Sequence, residues 1–491
     1  MARGYLAALL IACSTPKPAP VPAPAAAPAL VMSDPDEYRI ARISRDAGEA
    51  IFAKTGIGDP YRTGIPYPIY LALFERYPQI FGRDWQELAA KFGFIARAPD
   101  RASTDLDRRE GLPLGLHLAI DPITNVPFVM SSCALCHAEH VRWAGGEATV
   151  IGLGSKHVRI HAYDAAFFDL VAAAPDPGTI ARTARKLADA RGITWPEQYA
   201  QPFVAATLDA IGKRERPRAD LIARTRDGAP GRVATIEAFT GALENLSGHS
   251  IDHAPEVGWA KVPDVIGFGA RTTLSWDGSQ QGSMDVLVVE ADLAIGIAVE
   301  WLLRHPFQGP SLGAYLRQPE PRPAFPRPID RALADRGKRL FEDQCAHCHG
   351  HYAADGRVRD YTEQVVPLED LKTDPARAFA PTATFERAAN QPDVTHGFTT
   401  FARTGGYVPP VLTNVWMRAP YGHAGQWASL AVMATPPEKR IATSYDLDAP
   451  YDLDRVGVVV GAPAKLDVGG HPFLADLGRD APAVIEYLKS L

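Results

Sequence analysis

The chain has 491 residues, with 51 Lys+Arg against 57 Asp+Glu and a formal net charge of −6 at pH 7. That length accommodates two or three domains. The mildly acidic balance supplies neither a basic face for nucleic acid nor a polybasic patch for a membrane surface.

In chain order, the first element is a leader. Arg3 is its positive start, Leu6 to Ala12 its short apolar run, and Ala12 the small residue before Cys13. The run is far too short to span a bilayer as a helix. Leu10-Ile11-Ala12-Cys13 resembles the lipobox of bacterial lipoproteins. The resemblance implies that residues 1–12 are removed and that Cys13 is lipidated, anchoring an exported protein to the periplasmic face of a membrane or to the cell surface. Ser14 in place of Asp implies the outer membrane. The alternative is an ordinary signal peptide with a stray cysteine. Pro16 to Pro28 is almost wholly Pro and Ala, which makes 13–35 an extended tether. No later window holds 18 uncharged apolar residues.

Residues 36–305 form the predicted N-terminal domain. Helical periodicity marks Tyr38–Lys54, Tyr67–Tyr77, Trp85–Phe92, His161–Ala174 and Ala291–Arg304. Between the third and fourth lies Cys133-Ala-Leu-Cys136-His137. Pro306 to Pro328, with five prolines between, reads as a linker. The C-terminal domain, 329–491, opens on a helix in which Ala334, Gly337, Leu340 and Phe341 recur at helical spacing. It runs directly into a second copy, Cys345-Ala-His-Cys348-His349. A short strand is predicted at Val456–Val460, and the chain closes on an amphipathic helix from Ala483. The predicted fold is mainly α, with long loops and few short strands. A helix carrying Gly337 and Phe341 into the motif, closed by a C-terminal helix with Tyr487-Leu488, resembles a class I cytochrome c domain, and the resemblance implies two cytochrome c-like haem domains.

Cys-x-x-Cys-His is the attachment pattern of c-type haem. Two thiols three residues apart on a helical turn face one way and add to the two vinyl groups of one porphyrin. The following His, four residues from the first Cys, offers its imidazole to the iron. Composition alone yields roughly 0.001 chance copies of the string, against two present. A redox dithiol does not require the trailing His. Zinc ribbons place their pairs about 15–20 residues apart, whereas 208 residues separate Cys136 from Cys345. With Cys13 set aside, no cysteine remains for a disulfide. The expectation is therefore two covalently attached haems, bound through Cys133, Cys136, Cys345 and Cys348, with His137 and His349 on the metal.

The sixth iron position separates an electron carrier from a reactive site. For the second haem the candidates are His396, Met417, His423, Met433 and His471. For the first, His157 and His161 lie four apart and would share a face if helical. His140 and Met130 are too close in sequence to His137 to reach the opposite side, and His347 is expected to face solvent. Trp276, in Leu274-Ser275-Trp276-Asp277-Gly278, is the candidate catalytic aromatic, either as an electron relay or as a pocket wall. The alternative is a core Trp beside a tight turn.

Thr413-Asn-Val-Trp-Met-Arg-Ala-Pro-Tyr421-Gly-His423-Ala-Gly425 is similar to the Ala-Pro-Tyr-x-His-x-Gly signature of bacterial di-haem cytochrome c peroxidases. It is closer still to the di-haem proteins related to rubber oxygenase. Gly64-Ile-Pro-Tyr67, Leu112-Pro-Leu-Gly115, Leu274–Gly278, Arg440, Tyr451–Asp454 and Val456-Gly457 also resemble that group. The resemblance implies proximal ligation by His137 and His349, and His471 as the distal ligand of the second haem. It also implies an N-terminal haem that reacts with peroxide or oxygen, supplied by a redox partner protein or a small electron donor. Ala424 and Gln426 depart from the polar Asn and Ser common in the family. The peroxidases hold a calcium between their domains, but no loop here specifies one. The competing expectation is a non-enzymatic periplasmic carrier with two six-coordinate haems.

Overall fold

The computed structural model describes residues 43–491, apart from 123, 197–199, 216–217, 284, 286–287, 289–296, 298, 318–321 and 398–399. The leader, Cys13 and the Pro/Ala tether lie outside the described residues. The chain is 45% helical and 13% strand, with the strands gathered in small sheets. The mainly helical expectation holds at that level.

Helix ends follow local chemistry. Asp84 caps Trp85–Phe92 by accepting from Glu87 N, and Gly93 ends it in the left-handed conformation. Thr104 and Asp107 form a reciprocal capping box on Asp105–Glu110. Tyr67–Arg76 and Ile160–Ala172 fall within a residue or two of expectation. The first predicted helix is described from Arg45 to Ala53, and the fifth from Val299 to Arg304. The strand expected at Val456–Val460 lies slightly later, at Val459–Pro463, paired with Thr443–Asp446.

Several helices were not anticipated, among them Pro177–Asp189, Ala200–Glu215 and Thr235–Ser247. Another overturns part of the predicted linker. Gln308–Arg317 is a helix that buries Leu312, Tyr315 and Leu316 against Arg45–Ala53. Pro310 sits in its first turn, where a missing N–H breaks no helical bond.

Among the described residues, buried side chains form three cores. The first gathers Tyr70, Phe81, Trp85, Phe128 and Phe167. The second joins Phe52, Phe268 and Tyr315 to Phe385 and Phe401. The third joins Phe341, Trp416, Trp427 and Tyr487 to Val141 and Val150. The second and third both cross the domain cut read from the sequence, so the two halves interlock.

Helix Arg331–Gln344 crosses the C-terminal helix Ala481–Leu488 at Gly337. A Cβ on Gly337 would lie 1.8 Å from Ala483 O. Gly337→Ala gains about 1 kcal/mol of helix propensity but must push the helices apart, so a net loss of about 1–3 kcal/mol is expected. A lowered urea midpoint checks this; an unchanged or raised midpoint would refute it.

Candidate functional site

The first Cys-x-x-Cys-His leaves a three-stranded sheet and enters a hairpin. Strand Pro127–Ser131 pairs with Leu116–Ile120 and Ile65–Pro66. A single 3-10 turn, Cys133–Leu135, follows, and the hairpin Ala138–Trp143/Gly146–Ile151 begins directly after His137. His137 N donates to Cys133 O at 2.9 Å, closing the turn. Gly115 has φ +86, and a Cβ there would lie 2.2 Å from Leu135 N, so the Leu112–Gly115 segment packs straight onto the motif.

Ser132, just before Cys133, is tied to a buried chain. His117 bridges Asp107 Oδ2 (3.1 Å) and Ser132 Oγ (3.0 Å), and Leu118 N donates to Asp107 Oδ1 at 2.7 Å. The order of contacts matches a nucleophilic triad, but Ser132 is buried and closed to a substrate. The chain instead locks the strand that presents Cys133. Burial raises the Asp107 carboxyl, yet His117 and the N–H groups of Thr104 and Leu118 outweigh it and hold it below its usual range. A depressed folded pKa stabilises the protein above the unfolded pKa of about 4, and that contribution is lost as pH falls below it. Asp107→Asn is therefore expected to flatten the fall of the unfolding midpoint below about pH 4. An equally steep acid limb in the variant would show that Asp107 does not drive it.

The second motif sits on helix. Arg331–Gln344 leads into Cys345 and the short helix Ala346–His349, with His349 N bonded to Cys345 O at 3.0 Å. His347 is exposed, as expected. None of the four thiols is in a disulfide, and all are partly buried. Burial pushes Cys136 up to about 12 and Cys345 up to about 11, and raises Cys348. A reactive redox dithiol requires the opposite shift. The pairs also face different cores: Cys136 and Cys133 pack on the first and second, Cys345 on the third. Among the described residues, no group of three His, Cys, Asp or Glu converges as a bare-ion site.

The two motif histidines are held alike. His137 Nδ1 is 2.9 Å from Pro263 O, and His349 Nδ1 is 2.8 Å from Pro410 O. A carbonyl only accepts, so each imidazole carries its proton on Nδ1 and leaves the Nε2 lone pair free. Burial lowers the pKa of both, which keeps the lone pair available.

The histidine brought to His349 is His471, with ring centroids 6.3 Å apart and planes at 52°. Two metal–nitrogen bonds of about 2 Å, plus about 1.1 Å from each nitrogen to its ring centre, sum to about that spacing. His471 is half-buried, and its Nδ1 is buried with no partner. Its φ of +46 is strained for a non-glycine residue. Leu371 O accepts its N–H at 2.8 Å, and Arg440 donates to the carbonyls of Met433, Thr435, Val468, Gly470 and His471.

The other candidates are placed elsewhere. His423 stacks on Tyr407 at 4.0 Å. Burial, with Arg377 and Arg232 nearby, holds it down at about 3. His396 is exposed. His157 is not helical and spans Glu139 and Leu447 O at 2.9 and 3.0 Å. His161 accepts from Ala234 N at 2.8 Å, so its imidazole, like that of His157, is engaged elsewhere. Instead, Phe52 stands 6.3 Å from His137 at 54°, nearly the His349–His471 spacing. A phenyl ring has no lone pair to give.

Trp276 lies between the two proline segments. Its Nε1 donates to Lys261 O at 3.0 Å, and its own carbonyl accepts from Val408 N at 2.8 Å. Lys261 is two residues from Pro263, and Val408 is two from Pro410. One run of backbone and hydrogen bonds therefore joins His137 to His349 with Trp276 at its middle. Neither proline partner was anticipated from the sequence.

No protein-family model matches the chain. An uncharacterized protein, y4iM of Sinorhizobium fredii (strain NBRC 101917 / NGR234), is 30% identical over a stretch covering 28% of this chain. The match spans 36% of that relative's length.

Proposed function

We propose that this chain is an exported, lipid-anchored di-haem c-type oxidoreductase, related to the di-haem peroxidases and rubber-oxygenase-like proteins. The observation that carries the reading is the repeated device at the motifs: each His fixes Nδ1–H on a proline carbonyl and presents its Nε2 beside two thiols that are not in a disulfide. When bound, haem supplies one-electron chemistry, and an iron with an open position supplies peroxide or oxygen activation.

The residues divide the work unequally. His349 and His471 have the spacing to hold one metal from both sides, which suits electron exchange with a partner. His137 has Phe52 at the matching distance, and a phenyl ring donates no sixth ligand, so a small oxidant would compete there with no protein ligand. Trp276 offers the bridge between the two sites. The Gly337 helix crossing ahead of the second motif supports reading residues 329–491 as a cytochrome c-like domain. Attachment through Cys13 would place the protein on the periplasmic face of the outer membrane. No helix among the described residues is long and apolar enough to cross a bilayer.

The test is a spectrum of the purified protein in both oxidation states. Expected are two haems that survive boiling in detergent, one low-spin and one high-spin, and one carbon monoxide per chain on reduction. Two haems with no carbon monoxide binding would make it an electron carrier. No covalent haem would end the reading altogether.

A further inference from the structure

Arg322 lies in the Pro-rich stretch after helix Gln308–Arg317. Its stem is partly exposed, but Nε, Nη1 and Nη2 are all buried and none has a hydrogen-bond partner. Burying an unpaired cation is among the most unfavourable arrangements a fold can hold. Desolvation pulls even this guanidinium down to about 10. Such a group requires an anion.

Among the described residues, no side chain in reach is free to be that anion. Asp264 contributes to the field at Arg322, but its Oδ2 is 3.3 Å from Arg418 Nε and its Oδ1 accepts from Ile266 N. Tyr315 is buried and its hydroxyl is raised, so it stays neutral. Arg418 and Arg101 add further positive charge. The neighbourhood therefore has a surplus of cations over carboxylates among the described residues.

Its position identifies what is missing. Arg322 Nη2 is 2.7 Å from where a Cβ of Gly152 would stand. Gly152 N donates to His137 O, and Gly152 O accepts from Val265 N at 2.8 Å, two residues past the Pro263 that holds His137. The guanidinium thus stands at the edge of the first site, beside the backbone of the proposed ligand. Haem carries two carboxylates at one edge, and they need partners when the porphyrin is enclosed.

We propose that Arg322 is the counter-ion of a carboxylate of the haem held at Cys133 and Cys136, and so sets that haem's reduction potential from within the linker. The inference rests on the function proposed above. A fixed cation at this edge disfavours the extra positive charge of ferric iron and raises the potential; without it, the carboxylate's negative charge acts unopposed.

The experiment uses the full-length holoprotein with Arg322→Gln and Arg322→Lys, following both haems by spectroelectrochemical titration. In Arg322→Gln the high-spin haem should shift to more negative potential while the low-spin haem stays in place, and Arg322→Lys should recover most of the shift. An unmoved high-spin haem, or equal shifts in the two variants, would overturn the proposal. So would a high-spin potential in the unaltered protein that responds to inorganic phosphate at constant ionic strength, because the anion would then be diffusible. That last measurement needs no variant to fold. If the Cys133–Cys136 peptide carries no haem mass, it is the proposed function that fails, and this is seen before any potential is measured.

Discussion

His471→Ala is expected to convert the low-spin haem to high spin and to raise carbon monoxide binding from one per chain to two. No other described imidazole is placed to substitute, since His423 is stacked on Tyr407 and His396 is exposed. His423→Ala should leave the low-spin signal intact. The contrast is what makes the pair informative: loss of low-spin character in His423→Ala and its retention in His471→Ala would exchange their roles. A weaker version should come from Arg440→Ala, because Arg440 holds the carbonyls of Gly470 and His471 and thereby the strained φ of +46. A mixed-spin ferric spectrum is expected there; a spectrum identical to the unaltered protein would show that the loop keeps its shape without it.

The largest stability effect should come from Asp277→Ala. Asp277 and Arg377 are 0% and 1% exposed and form an ion pair at 3.1 Å. Ser279 Oγ donates to the same carboxylate, and Thr404 Oγ1 to the Asp277 carbonyl. Arg377 Nε and Nη2 already lack partners, so removing Asp277 strands a fully buried guanidinium. Breaking such a pair costs about 3–5 kcal/mol. Replacing both members with apolar residues, as in Asp277→Ala/Arg377→Met, should recover much of that loss. Urea unfolding of the three proteins checks this; a single variant within about 0.5 kcal/mol of the original would mean the pair is solvated in solution. Asp277 follows Trp276, so the single variant should also disturb the bridge between the sites.

Local features of the sequence were legible and distant ones were not. The motif spacing marks its own thiols and histidines because one helical turn suffices to gather them. Trp85–Phe92 carries its cap, apolar stripe and terminating glycine within ten residues, so its bounds could be read directly. By contrast, Pro263 and Pro410 lie 126 and 61 residues from the histidines they hold, and a proline in a loop reads as a turn signal whatever its carbonyl accepts. Phe52 looked like one apolar position of an amphipathic helix. Gln308–Arg317 was masked by the prolines around it, although Pro310 occupies the one turn that tolerates it. Arg322 had no signature at all, because a buried unpaired charge becomes visible only when its surroundings are known. His157 and His161 show the reverse error: their four-residue spacing suggested a shared face, but the helix begins only at Ile160.

The interlocking of the cores bears on how the protein is made. The core against which Cys133 packs is completed by Phe385 and Phe401, which leave the ribosome long after the first motif. While the early part of the chain waits for them, Cys133 has no finished interior to retreat into, whereas Cys136 packs on the first core, which is built from residues 65–262. The second motif is closed mainly by nearby segments and by the C-terminal helix, so its window is shorter. On the function proposed above, cofactor attachment would be ordered by topology, with Cys133 kept accessible until the later half arrives to seal it.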